Sequence, residues 1–258
     1  MLLPLPHLFL NIQTARQVFK FLAARTNVKM APTTYTMTIK NQTGDTTSQH
    51  RYIVYFGDLD SKVQSNSGRN LQPIVWFRTR PLSNNQQVSL KFTSEIFGFI
   101  GSSSAQSLVL AAGHTVNLSA SESVQVGGLM NDGTELVVTP SGNDIELQRS
   151  TSRQSPNGTF TIYSQNGIPS PNYYVTGVAR KVNNEVMPVA AISLIPNQQF
   201  VINPNLTMYV ARSKDDDDAI VNTIDTTMIK EKVELGAGRT LVTVTNVNEN
   251  GQSVLKVA

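Results

Sequence analysis

The 258-residue chain contains no cysteine. Disulfide bridges, thiolate metal sites and a cysteine nucleophile are therefore excluded. The absence of cysteine is compatible with the reducing cytosol, so we expect a cytoplasmic protein. No stretch of the sequence reaches the roughly 18 apolar residues that a membrane-spanning helix needs, so we also expect no membrane span.

Charged residues are scarce as well. Asp, Glu, Lys and Arg make up 15% of the sequence, whereas 40% of its residues are hydrophobic. Four of the 21 Lys and Arg residues precede Met30, which leaves 17 against 18 Asp and Glu residues in the rest of the chain. Such a near-neutral body lacks the positive surface that nucleic-acid phosphates require. We therefore predict no nucleic-acid partner.

The first 30 residues differ from everything that follows, because they are apolar and then basic, without a single acid. A secretory signal carries its positive charge before the apolar run, whereas here the charge follows it. A mitochondrial presequence fits the amphipathic stretch, although Pro4 and Pro6 interrupt its start. The third interpretation is that Met30 is the natural start and that residues 1–30 are a leader or non-native extension outside the fold. Secretion or mitochondrial import are the alternatives to a cytoplasmic location.

After Met30 the sequence consists of short alternating or β-branched runs separated by Gly, Asn, Pro and Ser. Tyr35, Met37 and Ile39, for example, alternate with polar residues, which is typical of a half-buried strand. The pattern predicts strands at residues 34–40, 51–56, 74–78, 87–92, 108–110, 115–118, 123–126, 135–139, 144–148, 159–163, 173–181, 186–194, 200–202, 207–211, 240–246 and 253–257.

The frequent turn signals favour antiparallel connections over helical crossovers. Only residues 219–234 have a composition that could hold a short helix. A dozen or more strands cannot form one open sheet, because a sheet of that size curls or splits to bury its apolar face. We therefore predict an all-β fold with little helix, an antiparallel two-sheet β-sandwich over residues 31–258. If the sandwich consists of two packed β lobes, their boundary lies near residues 164–171.

The sequence offers few residues for catalysis. After Met30 it has two histidines, His50 and His114, which lack the spacing of metal ligands, so we interpret them as surface or hydrogen-bonded side chains. The segment 101–104 lacks the second glycine of a serine nucleophile elbow. The glycines at 236 and 238 lead into a predicted strand rather than a phosphate-binding helix. We predict no enzymatic activity.

Two acidic motifs raise the question of calcium. Asp58 and Asp60 lie in a polar loop, but Lys62 occupies a position where a calcium loop needs an oxygen ligand. The second motif is a run of four carboxylates, Asp215, Asp216, Asp217 and Asp218. Like charges in sequence are typical of a hydrated loop. We expect no cofactor, with calcium at the acidic run as the alternative.

Trp76 is the candidate ligand-binding residue, together with Asp58 and Asp60. Its ring and the aromatic side chains near it in sequence could form a platform that stacks on sugars. Because Trp76 lies in an all-apolar run, a position in the core is the preferred interpretation. Four glycosylation triplets would be used only on a secretory route, at Asn41, Asn117, Asn157 and Asn205.

A small set of segments carries a family resemblance. Residues 35–44 read Tyr-Thr-Met-Thr-Ile-Lys-Asn-Gln-Thr-Gly and are followed by the aromatic run 52–56. Further segments are Pro188-Val189-Ala190, Pro196-Asn197, Phe200-Val201-Ile202-Asn203-Pro204 and Tyr209-Val210-Ala211. In these segments the chain resembles an uncharacterised family of cysteine-free β-rich proteins of fungi and some bacteria. The resemblance implies a β-rich fold, a fungal-type origin and a start at Met30, and it implies no activity.

Low charge, abundant Asn and Gln and many strands favour surfaces that associate rather than react. We therefore predict a non-enzymatic structural, storage or self-assembling β-protein that forms homo-oligomers. The alternative is a carbohydrate-binding, lectin-like module with glycans as partners, because sandwiches commonly present loops rich in Asn, Asp and aromatic residues. An enzyme that uses scattered acids such as Asp58, Glu95 or Glu185, and a membrane-active, toxin-like sandwich, are lower-ranked hypotheses.

Overall fold

The computed structural model describes residues 31–56, 71–105, 108–111, 113–128, 132–169, 173–204, 207–213, 230–235 and 238–258. Every regular element in these ranges is a β-strand, which confirms the all-β prediction. The strands are Thr34–Gln42 (β1), Tyr52–Phe56 (β2), Gln72–Pro73 (β3), Val75–Arg78 (β4), Gln87–Ser103 (β5), Val116–Val124 (β6), Gly133–Ser141 (β7), Asp144–Ser155 (β8), Phe160–Ser164 (β9), Tyr174–Val182 (β10), Glu185–Ser193 (β11), Gln199–Ile202 (β12), Met208–Arg212 (β13), Lys230–Val233 (β14), Leu241–Glu249 (β15) and Gln252–Val257 (β16).

The strands form three sheets. The largest has eight strands in the order β16-β15-β1-β5-β10-β11-β3, with β6 as a further partner of β5. Two sheets of four strands follow the orders β12-β9-β7-β8 and β14-β13-β2-β4. Most neighbouring strands are antiparallel, as predicted, but β1 pairs with β15 and β7 pairs with β9 in parallel. The parallel pair of β1 and β15 brings together two strands from opposite ends of the β-rich region.

One hydrophobic core joins the three sheets. In β1, Tyr35, Met37 and Ile39 are buried while the residues between them are partly exposed, which is the two-residue period of a strand with one face on a core. The same core contains Val54 of the sheet β14-β13-β2-β4 and Ile162 of the sheet β12-β9-β7-β8. Burying each such side chain contributes roughly 1.5–3 kcal/mol. The fold is therefore sandwich-like, and its large sheet shares one core with both smaller sheets.

The longest strand, β5, has 17 residues, whereas the sequence predicts a strand only over residues 87–92. Gly98 and Gly101 resemble turn signals, yet both lie inside the strand. A Cβ atom at Gly98 would lie 2.4 Å from Leu136 Cδ1, and one at Gly101 would lie 1.9 Å from the carbonyl oxygen of Asn117. Glycine therefore permits close packing at these positions rather than ending the strand.

Three further predictions need correction. Residues 108–110, predicted as a strand, form none, and Leu110 instead packs in a second apolar cluster with Phe99 of β5. The two strands predicted at 115–118 and 123–126 are one continuous strand, β6. Within the interval 219–234, considered for a short helix, Lys230–Val233 forms β14, and residues 219–229 lie outside the described ranges.

The chain divides into two compact units, Met1–Pro32 and Thr33–Ala258. Residues 1–30, predicted to be a leader or extension, lie outside the described part of the chain. The interval 164–171, predicted as the boundary between lobes, falls within the second unit. Within the described ranges no helix is long and apolar enough to cross a membrane.

Candidate functional site

β5 contains a bulge near its middle. Its ladder with β10 shifts register between Arg180 and Val182, so that three residues, 93–95, stand opposite the single residue Lys181. At the same point the second partner of β5 changes from β1 to β6. Bulges bend a strand and redirect its side chains, and they are frequent beside functional sites. The interruption in the large sheet therefore marks this region as a candidate site.

The polar groups that the bulge releases from the ladder find other partners. The Ser94 N–H donates to the Thr33 carbonyl oxygen at 2.8 Å, and the Thr33 N–H donates to Ser94 Oγ at 2.9 Å. The Thr93 hydroxyl donates to Glu95 Oε2 at 3.3 Å. On the core side, Arg180 Nη1 donates to the Ser94 carbonyl oxygen at 3.2 Å. These four hydrogen bonds hold the bulge in a defined geometry.

The tip of the β10–β11 hairpin lies beside the bulge. Asn183 and Asn184 both have positive φ angles, 46° and 73°, which is the backbone of a tight two-residue hairpin turn. The Asn183 N–H donates to the Lys91 carbonyl oxygen at 2.9 Å, and the Lys91 N–H donates to Asn183 Oδ1 at 3.2 Å. Asparagine tolerates this conformation better than most residues, and here its side chain also ties the turn to β5.

Together, the start of β1, the bulge and the hairpin tip line an open cavity of about 320 Å³. This volume lies at the lower end of the range typical of ligand-binding sites. We call it the bulge pocket, and its described lining residues are Thr34, Lys91, Phe92, Thr93, Lys181, Asn183 and Asn184. None of these is acidic, and they comprise two lysines, two threonines, two asparagines and one phenylalanine.

Arg180 lies behind the bulge, with its guanidinium in the core between the sheets. The residue is 1% exposed, and its Cζ lies 5.3 Å from the centre of the Phe56 ring. Burial lowers the pKa of Arg180 to about 10. Among the described residues, its Nε and Nη2 have no hydrogen-bond acceptor and it forms no ion pair. A fully buried arginine without a carboxylate is unusual, because isolated charges are costly to bury.

The structure places Trp76 in the core, 3% exposed. Its ring stacks on Phe56 at 5.7 Å between centroids and meets Phe92 edge-on at 5.7 Å. Tyr35 in turn stacks on Phe92, with 5.3 Å between the ring centroids. The indole ring is thus packed among other aromatic rings and is not available as a sugar-stacking surface. Through Phe92, however, this aromatic group forms the wall between the core and the bulge pocket.

The predicted acidic candidates lie outside the described residues. This applies to Asp58 and Asp60 and equally to the four carboxylates Asp215, Asp216, Asp217 and Asp218. Within the described ranges, no group of three or more His, Asp and Glu side chains could hold a metal ion. Calcium at the acidic run stays a prediction.

The two histidines lie in different settings. His50 is buried, and burial followed by the charge of Arg212 lowers the pKa of its imidazole. His114 Nδ1 accepts a hydrogen bond from the Ala111 N–H at 2.9 Å. Neither residue lines the bulge pocket, so both histidines are read as parts of the scaffold.

The glycosylation triplets differ in accessibility. Asn41 is fully buried, its Nδ2 donates to the Leu82 carbonyl oxygen at 2.8 Å and its Oδ1 accepts from Thr43. Asn117 and Asn157 are exposed, and Asn205 lies outside the described residues. In the folded protein the Asn41 side chain is therefore closed to modification.

The sequence alone did not point to the residues of the bulge pocket. Lys91 and Lys181 look like ordinary polar positions in strands, and a bulge has no local signature here. The one available signal is the pair Asn183-Asn184 between two alternating runs, which is typical of a hairpin turn.

Comparisons with known proteins add no relative to this description. No family model, no curated protein and no solved structure matches the chain. A function for this protein is therefore inferred from its own residues.

Proposed function

We propose that this protein is a non-enzymatic binding module that holds a carbohydrate in the bulge pocket. The observation that carries the proposal is a preformed cavity at a bulge in the central strand of the large sheet, whose acid-free lining combines hydroxyl, amide and lysine side chains with the ring of Phe92. Such cavities with a few convergent polar groups are the usual form of small-ligand sites. Their position on sheet strands makes them rigid, which lowers the entropic cost of binding.

The chemistry of the lining suits sugar hydroxyls. The Asn184 amide offers donors and an acceptor, and the Thr34 hydroxyl can donate or accept; the Thr93 hydroxyl, which donates to Glu95, can accept. Lys91 and Lys181 add further donors. The described lining contains neither a pair of carboxylates nor a nucleophile next to a base, which are the groups that hydrolysis of a sugar bond needs. Binding without turnover is the function that these side chains support.

A glycan array probed with the full chain, with and without calcium, tests the proposal. We expect hits that the variant N184G weakens about two- to fivefold, since one neutral hydrogen-bonding group is lost. Glycine keeps the positive-φ turn and removes only the amide side chain. The matched control is N250G, which makes the same change in the β15–β16 turn, where Asn250 also has a positive φ of 53°. An array without hits under both conditions would overturn the proposal.

Self-association is the second candidate function, and β8 is the observation in its favour. This strand has twelve residues, lies at the edge of its sheet and pairs only with β7 among the described strands. A long edge exposes backbone N–H and C=O groups that a second copy could pair with. Light scattering over a wide concentration range tests this candidate. A strict monomer at about millimolar concentration would rule it out.

We also propose a cytoplasmic location. The absence of cysteine and the burial of the Asn41 side chain fit a protein that folds without oxidation or glycosylation. Mass determination of the protein from its natural host tests this point. Glycans on the exposed Asn117 or Asn157 would show instead that the chain follows a secretory route.

A further inference from the structure

We propose that the bulge pocket selects anionic ligands, and that its ligand is a saccharide bearing carboxylate or sulfate groups. This inference rests on the proposed function and narrows it to one substrate class. Two lysines, Lys91 and Lys181, line the cavity, and no described lining residue is acidic. A neutral sugar would not need this charge.

The two ammonium groups are available for a ligand. Among the described residues, neither Lys91 nor Lys181 forms an ion pair, although Lys232 and Lys256 do pair with carboxylates elsewhere in the protein. Lys91 is exposed and Lys181 half-buried. Backbone pairing fixes the main chain at both lysines, since the Asn183 turn holds the Lys91 N–H and the bulge stands opposite Lys181. Two lysines without a carboxylate partner beside one cavity favour an anionic ligand over a neutral one.

A third cation lies behind the same wall. Arg180 donates to the Ser94 carbonyl oxygen, and Ser94 follows the lining residue Thr93. The guanidinium does not enter the pocket, because it faces the core. Its charge is shielded from water and is not neutralised by an ion pair with any described residue, so its field extends through the bulge more strongly than that of an exposed side chain. The positive potential in the pocket therefore has contributions from both faces of the sheet.

Two acidic residues, Glu95 and Glu185, lie near the pocket in sequence and could offset its positive charge. Glu185 is the cross-strand partner of Val182, so it shares the face of that core residue rather than the face of Lys181. Glu95 accepts a hydrogen bond from Thr93 and therefore stands at one end of the bulge. Among the described residues, the three cations Lys91, Lys181 and Arg180 stand against the two carboxylates Glu95 and Glu185, which leaves a positive excess at the site. Glu95 also provides a variant with the opposite expected effect.

The hydroxyl and amide groups favour a saccharide over a simple ion. Thr34, Thr93, Asn183 and Asn184 share the lining with the two lysines. A free sulfate would use the ammonium groups and leave most of these groups to water. A saccharide that carries an anionic group satisfies both kinds of side chain at once. A phosphodiester chain would need a longer positive surface than one small cavity.

Isothermal titration calorimetry on the full chain tests the inference with five defined probes. These are a neutral disaccharide, the corresponding uronic-acid disaccharide, a sulfated disaccharide, inorganic sulfate and a single-stranded oligonucleotide. We expect at least one acidic disaccharide to bind about tenfold more tightly than the neutral one, and this advantage to shrink at high salt. Inorganic sulfate and the oligonucleotide should bind more weakly than the acidic sugar.

Four charge variants separate recognition from folding. K91Q and K181Q should each weaken the acidic disaccharide about two- to fivefold and weaken the neutral one less, because glutamine keeps a hydrogen-bond donor and removes only the charge. E95Q should strengthen acidic binding, because it removes the negative charge that accepts a hydrogen bond from the lining residue Thr93. K40Q is the matched control, since Lys40 lies on the same face of β1 as Thr34 but six residues away. A general effect on folding would not lower the affinity of K91Q for the acidic disaccharide and raise that of E95Q.

The outcomes separate this inference from the proposed function. If neutral and acidic disaccharides bind equally and K91Q changes neither, the anionic selectivity is wrong while carbohydrate binding stands. Equal affinity for inorganic sulfate and the acidic disaccharide would overturn the saccharide class, as would stronger binding of the oligonucleotide. If no saccharide binds in titration or on the array, the proposed function itself fails.

Discussion

Replacing Arg180 by methionine tests whether the guanidinium in the core lacks a carboxylate partner. Burial lowers the pKa of Arg180 from its ordinary 12.5 to about 10. At 1.36 kcal/mol for each factor of ten in proton affinity, holding the charged form in the core costs about 3 kcal/mol. Methionine has a similar length and no charge, so the variant R180M recovers this cost while it keeps most of the packing.

The substitution also removes two favourable contacts. The hydrogen bond to the Ser94 carbonyl oxygen is lost, and a carbonyl left without a donor costs about 1–3 kcal/mol. The contact of the guanidinium with the Phe56 ring contributes on the order of 1 kcal/mol. Losses of about 2–4 kcal/mol therefore offset a gain of about 3 kcal/mol. We expect the free energy of unfolding of R180M to stay within about 1 kcal/mol of that of the natural protein.

Urea unfolding followed by fluorescence and circular dichroism measures this change, because the chain has one tryptophan, Trp76, and it is buried. R180A should be about 2–4 kcal/mol less stable than R180M, since it leaves a cavity. The exposed Arg80 provides the control R80M, with an expected change within about 0.5 kcal/mol. A loss of about 3–5 kcal/mol in R180M would refute the reasoning, because that is the cost of breaking a buried ion pair.

Two other predictions concern the scaffold. G101A should lose more than about 2 kcal/mol, because its Cβ would displace the Asn117 carbonyl and separate β5 from β6. G128A, with open space at that position, should stay within about 0.5 kcal/mol, and equal stability of the two variants would contradict the close approach. For His50, burial and then Arg212 lower the pKa below 6.5, so its stabilising effect is complete above pH 6.5 and is lost as pH falls through the folded pKa. The melting temperature should therefore fall less between about pH 7 and pH 5 in H50Q than in the natural protein. The same pH dependence in both proteins would show that protonation of His50 does not cause the fall.

The fold class could be predicted because it depends on local periodicity. Tyr35, Met37 and Ile39 alternate in the sequence and are buried on one face of β1. The second half of β5 was missed for a physical reason. Gly98 and Gly101 carry the composition of a turn, yet their lack of a side chain serves contacts with Leu136 and with the backbone of β6, which are distant in sequence. The parallel pairing of β1 with β15 could not be predicted either, because the local sequence of a strand does not determine which distant strand it pairs with.

The site was harder to predict than the fold. Trp76 attracted attention as an aromatic residue, and its all-apolar surroundings correctly indicated the core. Lys91 and Lys181 are separated by 90 positions in sequence, and only the register of β5 against β10 brings them to one cavity. Arg180 stands where the sequence changes from apolar to polar residues near the end of a strand, so the pattern predicts an exposed side chain. Its burial depends on the opposing sheet, where Phe56 covers it.

The same irregularity in β5 connects the two faces of the large sheet. On the outer face it interrupts the ladder and leaves a cavity between β1 and the Asn183 turn. On the inner face it leaves the Ser94 carbonyl to be satisfied by Arg180. An apolar residue at position 180 would remove a desolvated charge from the core but would free the bulge to change its shape. Because the two sides of the energetic balance nearly cancel, we expect the substitution R180M to change the geometry of the bulge more than the free energy of unfolding.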